Sequence, residues 1–236
     1  MPKQVRLKIK EIIRRTYNVK SFRVRTEEDL DFKAGQFLCV TVGKDEKCSV
    51  NKYLSISSSP TEKGYLEFTK KLTESDFSRA LDNLKPGDEV GIQYPLGNFT
   101  LGEGFAKLAF ISGGIGITPI RSILKYVVDK NLGIDMDLLY ANRSIEDIVF
   151  KEDFDAMQKV YPKLRVAHVL CEAAPGFKCR VGLINAQMIK NEIPDFKERR
   201  FYLCGPPAMV EAMQKILIKE LGIGAEAIIT ENFQGY

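Results

Sequence analysis

The sequence of 236 residues predicts a two-domain chain: a small antiparallel β-barrel followed by a doubly wound α/β unit with a parallel sheet. Three observations predict it. The first hundred or so residues are short strand-like runs cut by Gly and Pro turns. The remainder alternates apolar strand runs with helical ones. The two patterns meet at a small glycine-containing stretch, 101–104, which gives domains over residues 1–102 and 103–236.

The barrel opens with Val5, Leu7 and Ile9 alternating with Arg6, Lys8 and Lys10, the period of two of a half-buried strand. Further strands are expected over 19–25, 37–42, 53–57, 65–71 and 89–94. Turns at Ala34-Gly35, 60–64 and Lys85-Pro86-Gly87-Asp88 separate them. A helix over 77–83 interrupts the series, with Ser75, Asp76 or Ser78 as its cap. In the second half, strand 108–112 is followed by a helix over 117–129. Ile120, Ile123, Leu124 and Val127 share one face of it. Strand 136–140, helix 150–160, strand 165–170, helix 184–192, strand 201–204, helix 207–221 and strand 227–230 complete the alternation.

Composition closes off other classes. Hydrophobic residues make up 44% and charged residues 28%, which excludes a disordered or collagenous chain. No apolar run approaches the ~18 residues of a membrane helix, and the N-terminus lacks a secretory apolar core, so a cytoplasmic location is expected. The net charge of +4 is small and its Lys and Arg are scattered, unlike a nucleic-acid-binding face. Such a surplus suits an acidic protein partner. Cys39, Cys48, Cys171, Cys179 and Cys204 form neither a C-x-x-C pair nor iron–sulfur spacing, so reduced thiols are expected and no metal site. The single histidine, His168, excludes a multi-histidine zinc site within the chain. Its strand context predicts a core histidine bonded to backbone.

The chemistry lies in the turn Gly113-Gly114-Ile115-Gly116-Ile117-Thr118-Pro119, between the first strand and first long helix of the α/β unit. Glycines there let backbone approach a phosphate, and the helix start offers unpaired N–H groups. The third glycine of G-x-G-x-x-G is replaced by Pro119. Taken alone, this turn is equally readable as a plain tight turn. The second strand ends Tyr140-Ala141-Asn142-Arg143-Ser144, with no acid at its tip. Arg143 and Ser144 could hold a 2′-phosphate, Asn142 a plain ribose, and Asp147 would repel a phosphate, so NADH and NADPH both stay open. Cys204-Gly205-Pro206 ends a later strand, where open α/β sheets bind ligands.

Four segments together resemble the ferredoxin–NADP reductase family of flavoproteins: 52–60, 113–119, 204–209 and 231–236. The resemblance implies FAD (in some relatives FMN) on the barrel and NAD(P)H on the second domain. It implies hydride transfer between nicotinamide and flavin. It also implies electron exchange with a separate carrier: a ferredoxin, a flavodoxin, an iron–sulfur subunit or free flavin. An electron-entry subunit of a larger complex, or a flavin-holding sensor without turnover, are the alternative readings.

Residue by residue, Lys52 takes the place of the family's pyrophosphate-binding Arg, and Leu54 that of its ring-stacking Tyr. Sliding by one residue brings Tyr53 to the aromatic place instead, and a one-residue slip exchanges strand faces. In the preferred register Ser55 hydrogen-bonds flavin N5. Thr69 and Lys70 resemble the second flavin-contacting strand, and Ser75 and Ser78 the phosphate turn. Gly113, Gly114, Gly116, Thr118, Pro119, Gly205 and Pro206 resemble nucleotide contacts, and Cys204 the cysteine beside nicotinamide C4. Asn142, Arg143, Ser144 and Asp147 are similar to the ribose-binding stretch of NADH-using members. Glu231 resembles a proton relay, and Phe233 or Tyr236 a cover for the flavin face.

Overall fold

The computed structural model describes residues 2–26, 30–43, 49–102 and 104–232. The expected Phe233 and Tyr236, with Cys48 and Glu103, lie outside the described residues.

Strands β1 (Lys3–Arg14), β2 (Val19–Arg25), β3 (Phe37–Val42), β4 (Val50–Ser55), β5 (Tyr65–Lys71) and β6 (Glu89–Leu96) pair antiparallel in the order β4-β3-β6-β1-β2-β5. The two edge strands meet through the bridge Ile56–Phe68, and Ser57 N–H donates to the Glu67 carbonyl at 2.8 Å, which nearly closes the barrel. Alternation does the sorting: Leu38, Val40, Leu66 and Phe68 are fully buried inside it. Helix α1 (Asp76–Asp82), capped by the Ser75 hydroxyl, drops Phe77 and Leu81 into the same core.

The second sheet is parallel, in the order β10-β9-β8-β7-β11-β12. Its strands are β7 (Lys107–Gly113), β8 (Asp135–Asn142), β9 (Leu164–Leu170), β10 (Arg180–Val181), β11 (Arg200–Gly205) and β12 (Ile228–Asn232). Helices α2 (Ile117–Lys130) and α3 (Lys151–Val160) cover one face; α4 (Ala186–Glu192) and α5 (Pro207–Lys215) cover the other. The chain runs outward from β7 to β9 and returns on the other side of β7 as β11. The strand order therefore reverses between β7 and β11, where open sheets of this kind take ligands.

The expected elements are present, with differences at several boundaries. β4 ends at Ser55 rather than 57, because the backbone of Ile56 and Ser57 bonds to Gln36 and Glu67 and turns toward β5. Helix α4 starts at Ala186, not 184, because the Asn185 side chain accepts the Met188 N–H and caps it there. Residues 216–220 continue α5 as a π-turn. His168 is buried as expected, but its Nδ1 has no hydrogen-bond partner and packs among Tyr140 and Phe177 instead. Burial holds it below the usual histidine range, hence neutral.

The two sheets are fastened by α2. Arg121, 4% exposed, forms ion pairs with Glu62 of the barrel and with Asp153 of α3 (2.9 Å). It also donates to the Ser57 carbonyl at 3.0 Å, and the Ser122 hydroxyl donates to the Ser58 carbonyl at 2.6 Å. Burial alone would raise Glu62, but the bonds and charge of Arg121 override it and hold the carboxyl below its ordinary value.

Arg121→Ala removes the ion pairs of the partly buried Glu62 and Asp153 and leaves the buried Ser57 carbonyl without its donor. It is expected to cost about 3–5 kcal/mol in urea unfolding. The Glu62 contribution is complete above the ordinary carboxylate pKa and lost as pH falls through the depressed one. The acid limb of the stability curve should therefore flatten in the variant.

Candidate functional site

The switch point is built by close approach of two strand-end turns. A Cβ on Gly116 would lie 2.5 Å from the Cys204 carbonyl oxygen and 2.6 Å from Gly205 Cα, so only glycine fits. Gly114 takes a left-handed φ of 53° with open space beside it. On Gly113 a Cβ would run into Met209 and, at 3.3 Å, Pro206. Thr118 is buried and gives its hydroxyl to the Ile115 carbonyl at 3.1 Å, which closes the turn and leaves its oxygen lone pairs. Pro119 sits in the first turn of α2, where no N–H is missed.

Beside this turn, Cys204 and Glu231 are register neighbours on β11 and β12. Cys204 is fully buried, and burial together with the nearby Glu231 charge pushes its thiol well up, so it remains a neutral thiol. Burial also raises Glu231 to about 7, and its Oε2 has no hydrogen-bond partner. Ser112, the register neighbour of Cys204 on β7, buries an unpartnered hydroxyl as well. Orphaned polar atoms of this sort are costly in a finished interior and ordinary in a site that a ligand completes.

The barrel contributes a second group. Lys52 and Leu54 pair across β3 with the core residues Val40 and Leu38, so both lie on the inward face of β4 near its end. Tyr53 lies on the opposite face, 62% exposed, its ring edge-on to Phe37 at 5.8 Å. The strand thus separates the two candidate aromatic positions: Leu54 faces the core and Tyr53 the outside. Lys70, 4% exposed, shares the parity of the core residues Leu66 and Phe68. Burial first, then the charges of Lys52 and Lys71, lower it to about 8. Its ammonium donates to the Lys71 carbonyl. A buried cation next to other cations fits an anionic ligand.

Ser55 is buried, and its hydroxyl has no partner. Ser75 and Ser78 form a hydroxyl cluster with Thr73 at the start of α1, with O–O separations of 3.1 Å. Thr69 uses its side chain internally. Its hydroxyl contacts Ser21 at 2.7 Å and Ser57 at 2.9 Å, in a polar layer that also holds Glu67, Arg15 and Arg23. The Thr69 hydroxyl is thereby engaged within the protein, on the opposite face of β5 from Lys70.

At the tip of β8, Asn142 is buried with both carboxamide atoms unpartnered, and Arg143 is exposed. The Ser144 hydroxyl donates to Asp147 at 3.1 Å, and Glu146 is exposed beside it. Tyr140 ties this loop to the glycine turn: its hydroxyl donates to the Gly114 carbonyl at 3.0 Å and accepts the Val149 N–H at 3.3 Å.

Sequence reasoning missed Arg121, Ser112, Glu67 and Tyr17. Arg121 alone carried a signal: it lies four residues after Ile117 and three before Leu124, on the apolar face of α2, where an arginine needs buried partners. The others depend on tertiary contacts. Among the described residues no group of three or more His, Cys, Asp and Glu could hold a metal ion, and no helix is long and apolar enough to cross a membrane.

The comparisons with known proteins agree with this geometry. Residues 4–101 match the oxidoreductase FAD-binding domain model, and residues 110–215 the oxidoreductase NAD-binding domain model. A glycine betaine monooxygenase reductase subunit of Pseudomonas aeruginosa is 31% identical over 88% of this chain. The chain spans 58% of the length of that relative. NADH-cytochrome b5 reductase 1 of Aspergillus terreus is 32% identical over 85% of this chain and 72% of its own. In fold, a ferredoxin NADP+ reductase from Neisseria gonorrhoeae with bound FAD and NADP superposes with a TM-score of 0.84 at 23% identity, covering 98% of both chains. The chain belongs to the ferredoxin–NADP reductase-like family of FAD- and NAD(P)H-dependent oxidoreductases.

Proposed function

We propose that this chain takes hydride from NADH onto FAD and delivers electrons to a separate carrier protein, residues 1–102 holding the flavin and 103–236 the nicotinamide nucleotide. The observation that carries this reading is the pairing of buried Cys204 with partly buried Glu231, whose Oε2 is unpartnered, beside a glycine turn at the switch point. FAD, when bound, supplies the hydride acceptor and the conversion of a two-electron donor into single-electron steps.

The residues present fit that group. Lys70 and Lys52 would hold its diphosphate as point charges, with Ser75 and Ser78 beside the phosphate. Leu54 stands in the place of the family's aromatic, but its side chain lies in the barrel core. The Ser55 hydroxyl, buried and unpartnered, would donate to N5. Gly114 and Gly116 let the turn approach the nucleotide diphosphate, Gly113, Gly205 and Pro206 shape the same crevice, and Cys204 and Thr118 flank the nicotinamide. Glu231, near 7, is able to hold or release a proton at working pH. The loop after β8 carries Arg143 against Glu146 and Asp147, a net charge of about −1. A 2′-phosphate carries about −1.5 to −2 and is repelled there. That supports NADH, the nucleotide in the name of the b5 reductase relatives.

The electron acceptor is read at a coarser level. The reductase subunit serves a glycine betaine monooxygenase by its name, and a ferredoxin reductase of carbazole 1,9a-dioxygenase shares the fold with a TM-score of 0.83. Both support a protein acceptor of the ferredoxin or iron–sulfur kind.

An anaerobic visible spectrum tests the reading first. Flavin bands that bleach with one equivalent of NADH are expected; bands that NADH leaves unchanged would overturn it. Ser55→Ala should keep the flavin and slow its reduction in stopped flow by about tenfold or more, the scale of one lost positioned donor. Lys70→Gln should release FAD on gel filtration, with the fold intact by circular dichroism. In the native enzyme the rate of flavin reduction should change across pH 7, and Glu231→Gln should flatten that profile.

A further inference from the structure

The turn between β1 and β2, part of the barrel, grips the loop that follows β8 at two points. Tyr17 donates its hydroxyl to Asp147 Oδ1 at 2.9 Å. Arg15 places its guanidinium 4.8 Å from the centre of the Phe150 ring, and Arg121 lies 5.6 Å from the same centre. Phe150 is buried and adopts a left-handed φ of 63°, a conformation that a bulky side chain holds only where its surroundings enforce it. Arg15 is itself fixed through Glu67, fully buried, at 3.1 Å. The loop is therefore pinned at Phe150 and steadied at Asp147 by the flavin-binding half of the chain.

Tyr17 stands out for a second reason. Its side chain is 62% exposed, so neither its ring nor its hydrogen bond adds much to folding. Arg14 shapes the turn that presents it, donating to the Tyr17 carbonyl at 3.1 Å and the Thr16 carbonyl at 3.3 Å. Asp147 accepts one bond on each oxygen, from Tyr17 on Oδ1 and from Ser144 on Oδ2. An ionised carboxylate has about four lone-pair sites. Held by these two donors, it keeps acceptor sites in a fixed orientation for the two hydroxyls of a ribose. A 2′-phosphorylated ribose offers a charged group of the same sign instead.

We propose that Tyr17 is a positioning residue for nucleotide selection: reaching across from the flavin half, it fixes the Asp147 carboxylate so that an unphosphorylated adenosine ribose is accepted and a 2′-phosphate rejected. The inference rests on the reading of Asp147 given under the proposed function. It makes recognition of the nucleotide depend on the two halves being docked, since donor and acceptor come from different domains.

The test is steady-state kinetics of the full chain with bound FAD, using ferricyanide as acceptor, for Tyr17→Phe, Asp147→Ser and the double variant. Tyr17→Phe keeps the ring and should leave thermal unfolding unaltered. Its KM for NADH should rise about fivefold, the loss of one hydrogen bond, with kcat altered less than twofold. The kcat/KM preference for NADH over NADPH should fall. Asp147→Ser should lower the preference further, and Tyr17→Phe should add nothing to it in the double variant. If Asp147→Ser shifts the preference and Tyr17→Phe does not, Tyr17 has no positioning role and the Asp147 reading survives. If Asp147→Ser leaves the preference unchanged, the Asp147 reading falls and the inference falls with it. A Tyr17→Phe effect confined to kcat, or one that persists unchanged in the double variant, also overturns the proposal.

Discussion

The buried guanidinium of Arg121 is the central tie between the two halves of this protein, with Ser122, Tyr17 and Arg15 adding further contacts across the joint. Arg121 takes a buried position on α2, and from there bonds a carboxylate and a carbonyl of the barrel and a second carboxylate on α3. In so little solvent an arginine is tolerable only when its donors are met, and equally its partners are tolerable only while it is present. The docking of barrel on parallel sheet therefore leans heavily on this one residue. The site depends on that docking, because its parts come from both sides: Ser55, Lys52 and Lys70 from the barrel, and the glycine turn, Cys204 and Glu231 from the sheet.

Around this fixed joint the chain leaves several polar groups uncompensated. Ser55, Ser112, Asn142 and Glu231 bury atoms without hydrogen-bond partners, and Lys70 buries an ammonium among other cations. Elsewhere the interior satisfies such groups with care: Glu67 meets Arg15, Arg23 and Ser57, and Arg199 meets Asp135, Asp137 and Asp195. The contrast is physical rather than statistical. Apart from His168 Nδ1 and Arg200 Nε, the buried unpartnered side-chain atoms among the described residues belong to the candidate site, where a bound molecule brings donors, acceptors and negative charge. Preorganisation of that sort removes the cost of reorienting them when the ligand arrives.

The loop after β8 shows how the two roles meet. Tyr140, a core residue, ties the loop to the glycine turn, while Phe150 ties it to the barrel through Arg15 and to α2 through Arg121. The charged residues between these anchors, Arg143, Glu146 and Asp147, are carried on backbone that packing has already fixed. The nucleotide preference proposed for these charges requires that kind of support, because a site acts only when its groups are held in place.

Local sequence determined the fold class. Alternation in Val5, Leu7 and Ile9, the turn residues between barrel strands, and the apolar faces of α2 and α5 are properties of neighbouring residues, and periodicity reports them directly. The glycine turn was legible for the same reason: Gly113, Gly114 and Gly116 answer to local backbone geometry at a strand-to-helix junction. What only the tertiary structure decided is how side chains distant in sequence are shared out. Sequence placed Leu54 and Tyr53 as rivals for one position, and the pairing of β4 with β3 assigned them opposite faces. The Thr69 hydroxyl meets Ser57 and Ser21, the latter 48 positions away. Arg121 meeting Glu62, and Tyr17 meeting Asp147, join residues 59 and 130 positions apart. No local pattern encodes such pairs, because they exist only once two independently patterned sheets have docked.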